Sequence, residues 1–194
     1  MSDILGRYYT ETLFSNLLIQ QLDCKKPNTV LELGVGGGSI LNAVRNEWHT
    51  ANYYGIDVDK KIVSKYNEEK VEIKYGDVLD VSKSKLKISF GKYDIAVCNP
   101  PYSRLKNVNG EFDELMQSLN FLPGTFPITK DIVFLLKNLT YIKKSGKLGI
   151  IVPDTLITSQ TYLSFRMQLL SNFEVEKIVE LPSKIFKKTE AKTH

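Results

Sequence analysis

Short apolar runs of β character alternate with helix-spaced segments along this 194-residue chain, and that alternation restricts the folds open to it. Residues 29–33 read as a strand. Residues 39–48 follow as a helix, with Ile40, Leu41, Val44 and Trp48 at helical spacing. Segments 53–57 and 71–75 read as a second and a third strand around a polar helix at 59–69, and 93–98 as a fourth. An amphipathic helix is predicted over 129–144, carrying Ile132, Val133, Leu135, Leu136, Leu139 and Ile142, with Gly146 as its C′ cap. Strand 148–152, helix 160–172 and strand 175–181 complete the series. Alternation of this kind predicts an α/β architecture, a doubly wound and mostly parallel sheet covered on both faces. Ligands of such sheets bind at the carboxyl ends of strands, near the switch in strand order.

Two features interrupt the rhythm. Residues 103–128 form a long connection punctuated by Gly110, Pro123, Gly124 and Pro127. Connections of that length without elements of their own are uncommon and often functional. The expectation is a flexible flap over a site at the end of the fourth strand, a substrate-side loop, with a surface insertion as the alternative. The other feature is the end of the chain, which carries Lys184, Lys187, Lys188 and Lys192 and shows no closing strand, helix or cap. It reads as a cut before the last strand of a longer polypeptide. Residues 1–28 form a helical lead-in, and 1–194 read as one domain's worth of chain.

The first strand runs into Glu32-Leu33-Gly34-Val35-Gly36-Gly37-Gly38. Glycines between a strand and a helix permit a tight turn and a close approach of backbone to a ligand. The second strand ends in Asp57, 23 residues after Gly34, near the spacing of an acid that holds ribose hydroxyls. No Lys-Ser or Lys-Thr follows the glycines, which disfavours a P-loop nucleotidase. Their spacing also departs from the G-x-G-x-x-G of nicotinamide dehydrogenases. Asp77 ends the third strand, where it can accept from an adenine amino group. Taken alone, Asp57 and Asp77 also suit turn or N-cap duty.

The fourth strand ends in Asn99-Pro100-Pro101-Tyr102. The prolines fix φ and lack N–H groups, and they push the residue before each toward extended geometry. An amide side chain, a backbone carbonyl and an aromatic face are thereby brought to one point. Those groups suit a planar nitrogen that must lose a proton while it gains a carbon. An ordinary strand-ending turn is the bland alternative.

Composition permits this chemistry without demanding it. A hydrophobic content of 42% and a charged content of 25% are those of a globular chain, and the net charge of +4 admits a nucleic-acid partner. Cys24 and Cys98 are too few for a disulfide framework or a zinc site, and no metal site is expected. No apolar run reaches the roughly 18 residues of a membrane span, and the start is not a signal peptide, so a cytoplasmic protein is expected.

Together, the four strand ends resemble those of class I S-adenosylmethionine-dependent methyltransferases, which have a Rossmann-like fold. Within that class they are most similar to the amino-methylating DNA methyltransferases whose cofactor motif precedes the catalytic one. The resemblance covers almost the whole chain. It implies S-adenosyl-L-methionine as cofactor, held by Glu32, Gly34, Gly36 and Gly38, by Asp57 with Val58, and by Asp77 with Val78. It implies that Asn99, Pro100, Pro101 and Tyr102 catalyse methyl transfer to N6 of an adenine flipped out of duplex DNA, in a restriction–modification setting. Gly6-Arg7-Tyr8-Tyr9-Thr10 resembles the segment that reaches back to the cofactor's carboxylate; a helix lead-in capped by Thr10 is the alternative. Leu181-Pro182, with Phe186 and Thr189, resembles the family's last motif, where an aromatic packs on the flipped base; Phe186 also suits a core position. The family usually continues into a last strand and a target-recognition domain, so recognition falls to a domain or specificity subunit outside this chain.

Two further readings stay open. The same tetrapeptide serves enzymes that methylate glutamine in release factors or amino groups in RNA. Alternatively, the chain is a non-catalytic cofactor-binding or docking module of a larger modification assembly.

Overall fold

A computed structural model describes residues 12–66, 68–80, 91–105, 110 and 112–181. Among them, β1 (Thr29–Leu33), β2 (Asn52–Asp57), β3 (Val71–Tyr75), β4 (Tyr93–Cys98) and β5 (Ile142–Ile150) form one sheet. Every pairing is parallel and the order is β3-β2-β1-β4-β5. The chain therefore winds outward from β1 to β3, then returns to the other side of β1 for β4. The switch in direction lies between β1 and β4, as the doubly wound reading requires.

Alternate residues of each strand enter different layers, because side chains of a strand point to opposite faces. Val30, Tyr53, Ile73, Ile95 and Val97 pack under α1 (Thr12–Gln21), α2 (Ser39–Glu47) and α3 (Lys60–Tyr66). Leu31, Leu33, Ile56, Ala96 and Cys98 face the other way, toward Phe134 and Tyr141 of the later helix α5 (Lys130–Tyr141). Both faces are thus covered, which is why β1 and β4 read as near-continuous apolar runs. Fully burying a residue such as Leu31 contributes about 1.5–3 kcal/mol.

At the amino end of the sheet, Asp94 ties three strands together. Its carboxylate accepts from the Asn28 and Thr29 backbone N–H groups, each at 2.9 Å, and from Lys143 Nζ at 2.5 Å. Burial pushes the carboxyl up, but the bonds from Lys143, Thr29 and Asn28 together outweigh it and hold the pKa below the usual value.

The structure corrects three expectations. Gly146 is not a helix cap. Helix α5 ends at Tyr141 and passes directly into β5, which starts well before residue 148. The register jumps from Tyr93↔Ile142 to Ile95↔Lys147, so extra residues bulge out of β5. Gly146 sits in that bulge, where a Cβ would lie 3.0 Å from the Tyr93 and Asp94 carbonyl oxygens. The glycine therefore permits a close approach of two strands.

Residues 175–181 do not form a strand. Val175, Ile178 and Val179 are exposed, and the segment is held by side chains, through the Lys147–Glu176 ion pair and Lys177 on Gln21. Strand propensity is a fit to a pleated surface, and without a ladder partner it has nothing to act on.

The described part of 103–128 is packed rather than flap-like. It contains α4 (Asp113–Ser118), and Phe112, Met116, Phe121 and Phe126 are buried. Met116, Phe121 and Phe126 meet α5 and the later helices α6 (Asp154–Thr158) and α7 (Leu163–Asn172), which follows a short 3-10 turn at Gln160–Tyr162. Phe121 stacks on Phe165 with ring centroids 5.6 Å apart, and Phe126 meets Phe165 edge-on at 5.1 Å. The apolar residues of this connection fill a third core cluster beside the sheet. Among the described residues, no helix is long and apolar enough to cross a membrane.

Candidate active site

The carboxyl ends of β1, β2, β3 and β4 open into one cleft of about 720 Å³. The loop after β1 forms one wall. Gly34, Gly36 and Gly38 all have positive φ, at 83°, 54° and 78°, conformations that glycine adopts without a Cβ clash. At Gly38 space is also short, because a Cβ would come within 2.7 Å of the Tyr66 ring. The Tyr66 hydroxyl in turn donates to the Gly37 carbonyl at 2.7 Å, so α3 props the loop from behind.

Asp57 ends β2 and is buried. Its Oδ2 accepts from the Gly36 N–H and its Oδ1 from the Asp59 N–H, both at 2.8 Å. One carboxylate thereby fixes both the glycine loop and the turn after β2. Val58 follows, exposed on the cleft.

Asp77 stands exposed at the cleft's rim after β3, and its Oδ1 accepts from the Leu79 N–H at 2.9 Å. Val78 is buried but still lines the cleft.

Glu32 forms part of the floor. By strand alternation it shares the face of Val30 and Tyr53, and the Tyr53 hydroxyl donates to its Oε2. Burial pushes the Glu32 carboxyl well up; the Tyr53 hydrogen bond opposes the rise and the Asp57 charge adds to it. Burial also pushes up the Tyr53 hydroxyl and, below the floor, the Cys98 thiol, whose S–H donates to the Leu33 carbonyl at 3.1 Å.

The opposite wall is the end of β4. Asn99 and Pro101 line the cleft, while Pro100 is buried behind them. The β4–β5 ladder runs up to the bond from Ile151 N–H to the Cys98 carbonyl at 3.0 Å. It stops there because the prolines that follow have no N–H to give. The Tyr102 hydroxyl donates to Asn99 Oδ1 at 2.5 Å and lies 3.5 Å from the Ile151 carbonyl.

Glu32, Gly34, Gly36, Asp57, Val58, Asp77, Val78, Asn99 and Pro101 thus share one cleft. Gly38, Pro100 and Tyr102 stand just behind or beside its lining. Thr10 and Phe186 lie outside the described residues. Sequence reasoning missed Thr12, Ser39, Lys130 and Phe134, which also line the cleft. Phe134 was hidden among the apolar positions of an amphipathic helix, where it reads as core. Its ring covers Gly34, where a Cβ would meet it at 3.2 Å.

The lining brings three carboxyl groups (Glu32, Asp57 and Asp77) together with one lysine, Lys130. Such a cleft favours a ligand with hydroxyl donors and positive charge over a phosphate.

Comparison with known proteins agrees with this geometry. The chain is 29% identical over 182 residues to a release factor glutamine methyltransferase of Fusobacterium nucleatum, covering 91% of this chain and 47% of the relative. It is 27% identical over 192 residues to the type II methyltransferase M.HincII of Haemophilus influenzae, covering 94% of this chain and 34% of the relative. The fold matches a type I restriction-modification methyltransferase subunit of Streptococcus thermophilus with a TM-score of 0.64 at 21% identity, over 88% of this chain and 40% of that one. The chain therefore spans less than half the length of each of these proteins. The family profile for N-6 DNA methylases matches residues 2–194, and the chain belongs to that family.

Proposed function

We propose that this chain transfers a methyl group from S-adenosylmethionine to the exocyclic N6 amino group of adenine in DNA, as part of a restriction–modification system. The observation that carries the proposal is the meeting of Asn99 and Pro101 with the glycine loop, Asp57 and Asp77 in a single cleft. The lining fits this cofactor, whose ribose hydroxyls and adenine amino group offer donors to its carboxyl groups. In this reading Asp57 accepts from the ribose hydroxyls. Asp77 accepts from the adenine amino group, with Val58 and Val78 against the ring. Glu32 and the loop carrying Gly34, Gly36 and Gly38 hold the methionine end, with Thr10 reaching its carboxylate.

Bound there, the cofactor supplies an electrophilic methyl group. Adenine N6 is a weak nucleophile because its lone pair is delocalised into the ring. Asn99 Oδ1 and the Pro100 carbonyl accept hydrogen bonds from the amino group, which localises the lone pair and stabilises the charge that develops on nitrogen. This is stabilisation by preorganised dipoles. The surplus N6 proton becomes acidic once the methyl group is in place and leaves to water, so no tuned general base is required. Tyr102 stacks on the flipped base, and Phe186 packs against it; placement of this kind can supply several kcal/mol. Flipping costs a few kcal/mol, met by DNA contacts from a recognition domain or specificity subunit beyond this chain.

A second reading is favoured by the relative named for glutamine methylation, the more identical of the two relatives above. A glutamine amide is as planar and as weakly nucleophilic as an adenine amine, and Asn99 would serve it in the same way. The test is methyl transfer from isotopically labelled S-adenosylmethionine to unmethylated duplex DNA, RNA and protein extract, with mass spectrometry of the digested acceptors. N6-methyladenine in DNA is the expected product. Label in glutamine moves the chain to the second reading.

A further inference from the structure

A lysine outside the cleft is buried against its adenine side. Lys137 on α5 is only 6% exposed, unusual for a residue type that almost never loses contact with water. Its ammonium group donates to the Val78 carbonyl and, at 2.6 Å, to the Asp80 carbonyl. Both acceptors belong to the turn that begins with Asp77. The turn has two further bonds of its own, from Leu79 N–H to Asp77 Oδ1 at 2.9 Å and from Asp80 N–H to the Asp77 carbonyl at 3.1 Å. One turn of helix before Lys137, Phe134 lines the same cleft. Helix α5 therefore presents a cleft wall and a clip for the neighbouring turn on one side.

We propose that Lys137 is a positioning residue that sets the Asp77–Asp80 turn, and through it the preference of the cleft for an adenine base over one lacking the 6-amino group. The proposal rests on the reading that the cleft takes S-adenosylmethionine with Asp77 at the adenine. Asp77 is at the exposed rim, where its side chain is held by the Leu79 N–H of the turn. Its register depends on the turn, and the turn is pinned from below by the two carbonyl bonds. Without the ammonium group those carbonyls lose their donor, and a turn with unmet buried carbonyls relaxes. Burial pulls the Lys137 pKa down to about 8, against the opposing charges of Asp77 and Asp80. A buried ammonium group needs partners, and here they are the two carbonyls of the turn.

The test is calorimetric binding of S-adenosylhomocysteine and its inosine analogue, S-inosylhomocysteine, to wild-type protein and to Lys137→Met. The wild type is expected to prefer the adenine form by roughly tenfold, the worth of one good hydrogen bond to a charged group. Lys137→Met is expected to bind the adenine form roughly tenfold more weakly and to lose the preference, its two affinities converging. Circular dichroism confirms that the variant is folded. If it is not, Lys137→Gln, which is shorter and uncharged, carries the same comparison with the same expected direction. A folded variant that weakens both ligands equally and keeps the wild-type preference overturns the proposal, because that is the signature of a merely structural lysine. Wild-type protein that binds both ligands without preference overturns it as well. Wild-type protein that binds neither ligand overturns the cofactor reading itself, and the proposal with it.

Discussion

The two halves of the sheet hold their functional groups in different ways. On the β1–β3 side, Asp57 is locked by backbone N–H groups of its own turn and of the glycine loop, and the Ile56 carbonyl accepts from Gly34 N–H at 2.8 Å. This half is preorganised, since main-chain donors cannot rotate away. On the β4 side, Asn99 Oδ1 is engaged by the Tyr102 hydroxyl, a side chain that turns about single bonds. The β4 half holds the Asn99 oxygen in an exchangeable bond. In the proposed reading a cofactor enters a formed cradle, whereas a substrate amine displaces a hydroxyl.

The largest effect should come from Asn99→Ala. We expect methyl transfer by the full protein to fall by about two to three orders of magnitude, the usual worth of a preorganised group aimed at developing charge. Affinity for S-adenosylhomocysteine should stay within a few-fold. A large loss of cofactor affinity would mean that the halves are not separable and that Asn99 has been assigned the wrong role.

Asp57→Ala tests the other half. Removing it unties the glycine loop and takes away the proposed ribose acceptor, so cofactor binding measured by calorimetry should weaken by about 1–3 kcal/mol. Unchanged affinity would sink the ribose assignment.

Tyr102→Phe sharpens the contrast most directly. It keeps the ring for stacking and removes the hydroxyl that competes for Asn99 Oδ1. The net worth of such a bond is about 0.5–1.5 kcal/mol, so KM for the acceptor should fall by about two- to tenfold while cofactor affinity is unchanged. A rise in KM would show that the hydroxyl assists substrate rather than yielding to it.

The smallest effect lies at the far end of the sheet, where Asp94 ties the two halves alike. Its folded pKa is depressed, so its contribution to stability is present above the ordinary carboxylate pKa of about 3.9 and is lost as pH falls through the lower folded value. Asp94→Asn should therefore show a shallower loss of thermal stability between about pH 4 and the lowered folded value, with cofactor affinity at neutral pH unaltered.

Which parts were legible follows the same division. The Gly34-x-Gly36-x-Gly38 loop, Asp57 and Asp77 stand within a few residues of strand ends that their own apolar pattern announces. The regular order β3-β2-β1 then brings those ends together. Phe134, Lys130 and Lys137 were not legible as site residues. They sit on a helix whose periodicity identifies a buried face but not which strand end that face will meet. The fates of Gly146 and of 175–181 were equally hidden, since each depends on the approach of a partner strand. Residues 103–128 misled for a related reason. Their glycines and prolines signal turns, while Met116, Phe121 and Phe126 find their core only against α5 and α7.

By itself the sequence determined the parallel α/β sheet, the identity of β1 to β4 and the residue types that each strand end presents. These are properties of local pattern: short apolar runs alternating with helix-spaced segments, glycines between a strand and a helix, and proline without an N–H. Only the tertiary structure decided that Tyr102 holds Asn99, that Glu32 lies buried against Tyr53, and that Lys137 clips the turn beneath Asp77. Those contacts join residues across separate elements or depend on how a side chain turns within the folded cleft. Packing in three dimensions chooses between them, and local sequence carries no record of that choice.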